Sequence, residues 1–450
     1  MARPVALLTL AGPLALGFIA LLATLWSITK SPPNGESVMI ALAWLSSAAC
    51  LWWNAGRRNF LIVAGCIAVG FRLAVWLMAA GGYPPTSDPA GYMQLASTLL
   101  ATGELRISLD WIGDTRALFP PVYPLLLASV MFFVGSNLAA PIILNAAIHL
   151  ATALALYRLA RPAGASQAKA ISAIYLIWPT VLLGSTWAQK EGLTAFWVVC
   201  ILHACFRICN AVRPMRWAMA FGVCTGLLAL TQPSLSFVPG AMLLAVCMRK
   251  GLTFVTKVAA VGIAAFILIM LPWWIRNYVV LGGFVPLTTS SGVGLYYMAM
   301  HQIVIPPEII ALPEIERTNR LAAVAFETIR GDFPRYLSFV GKRFLVQLTI
   351  DTEVLQDFRS IPGFRLNPDS LALTLQLAQA ALWTAVAGLA WRSRADAQVR
   401  TAGLIITASL ATLCLFGPWF EFGPRHRQFL LVPALLLIAA AAPRLRLKTC

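Results

Sequence analysis

Asp88 is the residue on which chemistry is most easily built. It lies in G-G-Y-P-P-T-S-D-P-A-G-Y-M-Q-L-A, between Pro85 and Pro89, after three long apolar segments. The two prolines favour an extended approach and then a helix start, with Pro89 at the first helical position and Asp88 as the N-cap. Tyr92, Leu95, Ala96 and Leu99 then share one face. A carboxylate held there can take a proton from a hydroxyl as a general base. It can equally do no more than cap its helix. The other acids of this stretch, Glu104, Asp110 and Asp114, stand among Gly103, Ser108 and Gly113, which read as flexible turn.

Cationic side chains come from distant segments. W-A-Q-K-E places Lys190 and Glu191 between two thin apolar segments, where ionisable groups are costly and serve function. An internal Lys190–Glu191 pair is the plainer alternative. P-W-W-I-R-N-Y-V-V-L-G-G-F-V-P-L puts Arg276 and Asn277 just beyond Trp273 and Trp274, which read as interfacial anchors. The T-T-S-S-G that follows offers backbone N–H groups to an anion, although Arg276 could simply snorkel to head groups. F-E-F-G-P-R-H-R-Q-F-L-L-V-P sets Arg425, His426 and Arg427 at the start of the last apolar segment, and two arginines there match an anion. Candidate substrate contacts are Tyr92, Tyr123, Lys190, Glu191, Asn277 and His426. One carboxylate, several cations and a bilayer alongside are what transfer from a lipid-phosphate donor needs: a base for the acceptor hydroxyl and positive charge for the leaving phosphate.

The elements that must position these groups are membrane helices. With 59% hydrophobic and 11% charged residues, 450 positions exclude a soluble globule of ordinary composition. Apolar segments are expected at 4–28, 38–55, 60–80, 139–157, 170–184, 192–206, 217–230, 235–248, 253–274, 371–391, 401–417 and 428–442. With both termini on one side, more than half of the 34 basic residues fall in the loops of that side, with Asp396 the only acid among them. The positive-inside rule makes that side cytoplasmic. It also makes 120–135 a helix lying in or dipping into the outer leaflet, because a full crossing would move the later basic loops outside. The long segment from Arg276 to Ser370 balances its basic and acidic residues. Leu321, Val324, Ala325 and Ile329, then Tyr336, Phe339, Val340 and Phe344, predict two amphipathic helices broken at Gly331-Asp332-Phe333-Pro334. The units are therefore 1–80 (N-terminal helices), 81–135 (first outer loop), 136–275 (central bundle), 276–370 (outer amphipathic segment) and 371–450 (C-terminal helices).

The net charge of +17 is placed on one set of loops, so it does not point to nucleic acid. The nine cysteines have no C-x-x-C spacing, lie mostly in apolar runs and read as small core residues. His149 and His203 read as packed helix residues, and no zinc signature occurs.

Together the Asp before Tyr92 in the first outer loop, F-P-P-V-Y-P-L-L-L-A, P-W-W-I-R-N-Y-V-V-L-G-G-F-V-P-L and R-H-R-Q-F-L-L-V-P resemble the GT-C membrane glycosyltransferases. The branch it looks like is the bacterial glycosyltransferase family 39 and dolichyl-phosphate-mannose–protein mannosyltransferase-like group, which includes the aminoarabinose and galacturonic acid transferases of lipopolysaccharide. The resemblance runs from about Phe71 to Pro433. It implies an all-α polytopic GT-C fold of about 12–13 transmembrane helices with periplasmic juxtamembrane helices. It also implies an inverting transferase in a bacterial inner membrane, taking sugar from a polyprenyl-phosphate donor to a cell-envelope acceptor (lipid, glycan or protein) on the periplasmic face. The family's first-loop catalytic aspartate maps onto Asp88 and its second-loop acid onto Glu191. Its donor-phosphate arginines map onto Arg276 and onto Arg425 or Arg427. Many members carry a second acid directly after the first. Pro89 stands there, which argues against a paired-carboxylate metal site, although a divalent cation is left open as a cofactor. The helices before Gly81 outnumber the usual single one, and no large soluble domain is expected after Cys450. The competing readings are an O-antigen ligase or polymerase, which would lack the early Asp loop, and a lipid-linked sugar transporter, which would show inverted repeats.

Overall fold

The computed structural model describes residues 3–30, 35–57, 59–78, 87–247, 250–301, 304–349, 355, 368–417, 419 and 423–442. The approach from Gly81 to Thr86, Arg58, Arg249 and the terminal Arg444, Arg446 and Lys448 lie outside them, as does most of 350–367.

Apolar runs of helical length open the chain as α1 (Arg3–Lys30), α2 (Gly35–Asn54) and α3 (Phe60–Met78). Next come α4 (Ser87–Thr102), the strands β1 (Ile107–Leu109) and β2 (Gly113–Thr115), and α5 (Val122–Val134). The central helices are α6 (Ala139–Ala160), α7 (Ala165–Ile177), α8 (Pro179–Gly184), α9 (Glu191–Asn210), α10 (Pro214–Ala229), α11 (Val238–Cys247) and α12 (Leu252–Leu281). Then follow α13 (Ser290–Met300), α14 (Pro307–Ile310), α15 (Glu314–Gly331) and α16 (Phe333–Thr349). The chain closes with α17 (Pro368–Arg392), α18 (Ala397–Phe416), a 3-10 turn Pro424–Leu430 and α19 (Leu431–Ala441).

Seven helices among the described residues are long and apolar enough to cross a membrane: α1, α3, α6, α9, α12, α17 and α18. The protein is an all-α, multi-pass membrane protein with one small hairpin. Other expected crossings fall on shorter helices, and proline is one reason. Trp178 is extended before Pro179, which separates α7 from α8, and Pro233 and Pro424 open 3-10 turns before α11 and α19. α5, with 13 residues, rises about 20 Å and is too short to cross a core of about 30 Å. Its Phe132 and Phe133 are exposed, as are Phe18, Ile62 and Leu268 on the spans, an arrangement suited to lipid.

The main core lies where α1 packs on α17 and α18, α6 on α7 and α9, and α10 on α9 and α12. Small residues let these helices approach closely: Gly12 faces the backbone of Thr407, and Gly222 faces the carbonyl of Gly262.

The loops gather at two ends. At one end Arg57 accepts from Lys169, while Arg158, Arg207, Lys250 and Arg400 border a common cavity. At the other, α4, the hairpin, α13, α15, α16 and the Pro424–Leu430 turn pack together. α15 and α16 match the expected pair, broken at Asp332, and bury Leu321, Ala325, Tyr336 and Val340.

Two local expectations are corrected. The stretch from Leu105 to Ala117, expected as flexible turn, forms an antiparallel hairpin with Ile107 opposite Thr115 and Leu109 opposite Gly113. Gly113 supplies its positive φ of 78°, and partners from α15 hold it. The Glu314 carboxylate accepts from the backbone N–H of Arg116 (2.6 Å) and Ala117 (3.0 Å), and Arg317 donates to the carbonyl of Asp114. Trp273 and Trp274 donate their indole N–H to the carbonyls of Leu287 (2.6 Å) and Pro286 (2.7 Å). Of the cysteines read as core residues, Cys205 and Cys247 are buried, but Cys50 and Cys66 are exposed.

Candidate active site

α4 delivers Asp88 in its first turn. The carboxylate is not turned only to its own helix: it receives the guanidinium of Arg425, 337 positions later in the chain. The Nε of Arg425 is 3.3 Å from Oε1 of Glu191, and the Nε2 of His426 is 3.8 Å from the same oxygen. One arginine thus bridges two carboxylates. Their exposures differ. The Glu191 side chain is 7% exposed and that of Asp88 30%, so Asp88 is the carboxylate a solvent-borne or membrane-borne molecule can reach.

The floor of this cluster is aromatic. Tyr92, one turn after Asp88, packs edge-on against Phe119 and Tyr123, each with ring centroids 5.2 Å away. The ammonium of Lys190 lies over the Tyr92 ring at 5.7 Å, a cation–π distance. The Tyr92 hydroxyl is buried with no hydrogen-bond partner among the described residues. Its ionisation is pushed well above the ordinary phenol value, first by burial and then by Asp88 and Glu191, so it stays neutral. Beneath it, Tyr123 donates to Oδ1 of Asn145 (3.2 Å). The amide of Asn145 donates to the carbonyls of Ser185 (3.2 Å) and Trp187 (2.5 Å), tying α5 and α6 to the turn that leads into α9. The imidazole of His426 is held well below its ordinary value, by burial first and then by Arg425 and Lys190, and is neutral at pH 7.

Six sequence candidates therefore meet: Asp88, Tyr92, Lys190, Glu191, Arg425 and His426, with Tyr123 one layer below. The others engage backbone carbonyls. Arg276 donates to the carbonyls of Arg116 (2.8 Å) and Leu105 (3.0 Å) and lies over the Trp273 ring at 5.1 Å. Asn277 donates to the carbonyl of Val285 (3.3 Å), and Arg427 to that of Leu348 in α16 (2.9 Å). These three tie loops down around the cluster. Sequence reasoning missed Glu314, Asn145 and a buried pair behind α9, in which Nη2 of Arg72 is 2.5 Å from Nδ1 of His149. His149 in turn packs so closely on Gly192 that a Cβ there would be 2.3 Å from its Nε2. An arginine inside an apolar span was the signal available for Arg72.

A divalent cation does not fit these residues. Arg425 stands between the two carboxylates where a metal would have to stand, and no group of three His, Cys, Asp or Glu gathers to hold an ion among the described residues.

No family model matches the sequence, and no curated protein matches it. Among solved structures the chain is similar to the Archaeoglobus fulgidus oligosaccharyltransferase in complex with Zn and sulfate, at 17% identity and a TM-score of 0.49. That match covers 85% of this chain and 48% of the other, so this chain spans about half the length of that protein. The oligosaccharyltransferase AglB of Archaeoglobus fulgidus, in complex with an inhibitory peptide and a dolichol-phosphate, is similar at 15% identity and TM-score 0.47, over 85% and 50%. ArnT from Cupriavidus metallidurans, bound to undecaprenyl phosphate, is similar at 14% identity and TM-score 0.42, over 85% and 78%. Likenesses this distant do not identify the chain. What the helices and the cluster define is a class: a multi-pass membrane protein with a charged, carboxylate-bearing site at one end of its bundle.

Proposed function

We propose that the protein is a GT-C-type inverting glycosyltransferase that moves a sugar from a polyprenyl-phosphate-linked donor to a cell-envelope lipid or glycan. On this reading the site faces the periplasm of a bacterial inner membrane. The observation that carries the proposal is the bridge from Arg425 to Asp88 and Glu191, which joins residues remote in the chain into one charged cluster. The donor class is taken from the motif resemblance. Asp88 accepts the proton of an acceptor hydroxyl as its oxygen bonds to the anomeric carbon. The bond from that carbon to the phosphate oxygen breaks, its electron pair leaves with polyprenyl phosphate, and the configuration inverts. Arg425 and Lys190 meet the charge that develops on the phosphate. A donor phosphate competes with Asp88 for Arg425, so binding frees the carboxylate for its role as base. Buried Glu191 keeps Arg425 from leaving the site, and the buried, neutral Tyr92 holds Lys190 over its ring. Arg276, Asn277 and Arg427 position the loops that carry the cluster.

The test is turnover of a synthetic polyprenyl-phosphate sugar by purified protein, read as polyprenyl phosphate released. Asp88→Asn keeps the shape and removes the base. Turnover is expected to fall at least about a hundredfold, the usual general-base contribution, while donor affinity is kept or raised because asparagine competes less for Arg425. Near-normal turnover would remove Asp88 from the mechanism. Mass spectrometry of envelope glycolipids from wild-type and deletion cells then names the sugar and the acceptor.

A further inference from the structure

The end of the bundle away from Asp88 carries a second feature that the proposed transfer does not use. α9 runs from Glu191 in the site to Asn210, a rise of about 28 Å at 1.5 Å per residue. Around Asn210 opens a cavity of about 800 Å³, within the range of ligand sites, roughly 300–1,000 Å³. Its walls are largely apolar, with Phe206, Ile405 and Leu436 among them, and four cations border it: Arg158, Arg207, Lys250 and Arg400. Among the described residues no carboxylate lines it. The acid closest in the chain, Asp396, is engaged in capping the N–H groups of Gln398 (2.7 Å) and Val399 (3.0 Å) at the start of α18. A neighbouring cavity of about 580 Å³ shares Arg207 and Asn210 and adds Arg213 and Arg216.

Topology alone explains basic residues at this end, and helix dipoles favour Arg158 and Arg207 in the last turns of α6 and α9. The dipole does not explain Arg400. It sits in the first turn of α18, the end at which the helix dipole opposes a cation. Its Nη1 donates to the carbonyl of Ala395 (2.7 Å), and its buried Nε has no partner among the described residues. Cations from four separate segments converge on an apolar chamber whose described lining holds no counter-charge.

We propose that this cavity binds an anionic phospholipid, its phosphate among Arg158, Arg207, Lys250 and Arg400 and an acyl chain along the apolar walls. The occupant is a lipid and not a free anion because the walls behind the cations are apolar and the cavity lies between membrane helices. The site is separate from the transfer site and stands whether or not transfer is the protein's activity.

The experiment is native mass spectrometry of the purified full chain with phosphatidylglycerol, with phosphatidylcholine of the same acyl chains, and with inorganic phosphate as competitor. Phosphatidylglycerol is expected to remain bound, and phosphatidylcholine is not. Arg158→Gln with Arg400→Gln should lower retention at least about tenfold, the scale of losing a charge-assisted hydrogen bond. Arg400→Gln alone keeps the dipole-matched arginines and should give a smaller loss in the same direction. Ala440→Phe keeps every charge, fills the apolar part and should also reduce retention. Equal retention of the two lipids overturns the proposal. So does wild-type retention by the folded charge variants, and so does displacement by inorganic phosphate with Ala440→Phe unaffected, which would mark a free-anion site.

Discussion

Arg425 sits between two acids of unequal burial, and that inequality sets what its loss does. Arg425→Ala leaves Glu191 buried without its partner, which costs about 3–5 kcal/mol for a buried pair broken on one side. Adding Glu191→Gln removes the stranded charge, so the double variant should regain part of the loss in a denaturant titration. If the double variant is no more stable than Arg425→Ala, the two groups are not coupled in the folded protein. His426 gives a pH test. Its proton affinity is depressed on folding, so below about pH 6.5 the unfolded chain takes up a proton that the folded protein refuses. Stability should therefore fall on acidification through that range. His426→Gln should flatten the melting-temperature difference between neutral and mildly acidic buffer, and an unchanged difference would assign the acid sensitivity to other groups.

The helices position this cluster by approaching closely, and the approach can be challenged at single glycines. A Cβ on Gly222 of α10 would lie 2.1 Å from the carbonyl oxygen of Gly262 in α12, and that oxygen is backbone, which cannot rotate away. Gly222→Ala should thus force the two helices apart at the cost of overpacking, about 1–3 kcal/mol. A Cβ on Gly240 of α11 would meet nothing within 4 Å, and Gly240→Ala should be neutral or slightly stabilising, by up to about 1 kcal/mol, on helix propensity. Comparable melting temperatures for the two variants would count against the α10–α12 contact. The same contact matters at the site because α12 carries Arg276, which holds Leu105 and Arg116 of the loop after α4.

Across the whole molecule, basic loops gather at one end and the carboxylate cluster at the other, so orientation in the bilayer is a single choice. The positive-inside rule predicts that the Asp88 end faces outward. Asn319 is exposed on α15, at that end. In a cysteine-free background, Asn319→Cys should react with a membrane-impermeant maleimide added to intact spheroplasts. Labelling only after the membrane is breached would reverse the orientation and the proposed periplasmic site with it.

Much of the architecture was legible in the sequence because its causes are local. Apolar runs of spanning length give the long helices, a 3.6-residue pattern gives α15 and α16, and the Gly331–Pro334 break falls where the helices part. The chemistry-bearing types were legible too, since Asp88, Glu191 and Arg425 are ionisable groups at the ends of apolar segments. Which of them meet was decided by packing. Asp88 and Arg425 are joined only once α4 and the Pro424–Leu430 turn are brought to one end of the bundle, and nothing within a few residues of either fixes that. Arg276 and Arg427 looked equivalent to Arg425 in the sequence; in the fold each donates to a backbone carbonyl, whereas Arg425 meets two carboxylates. The hairpin after α4 depends on Glu314, nearly two hundred positions away, whose carboxylate satisfies N–H groups that a local reading leaves to water. A residue's type is a local property; its partner is a property of the folded chain, because burial makes an unpaired charge costly and so selects the pairs that remain.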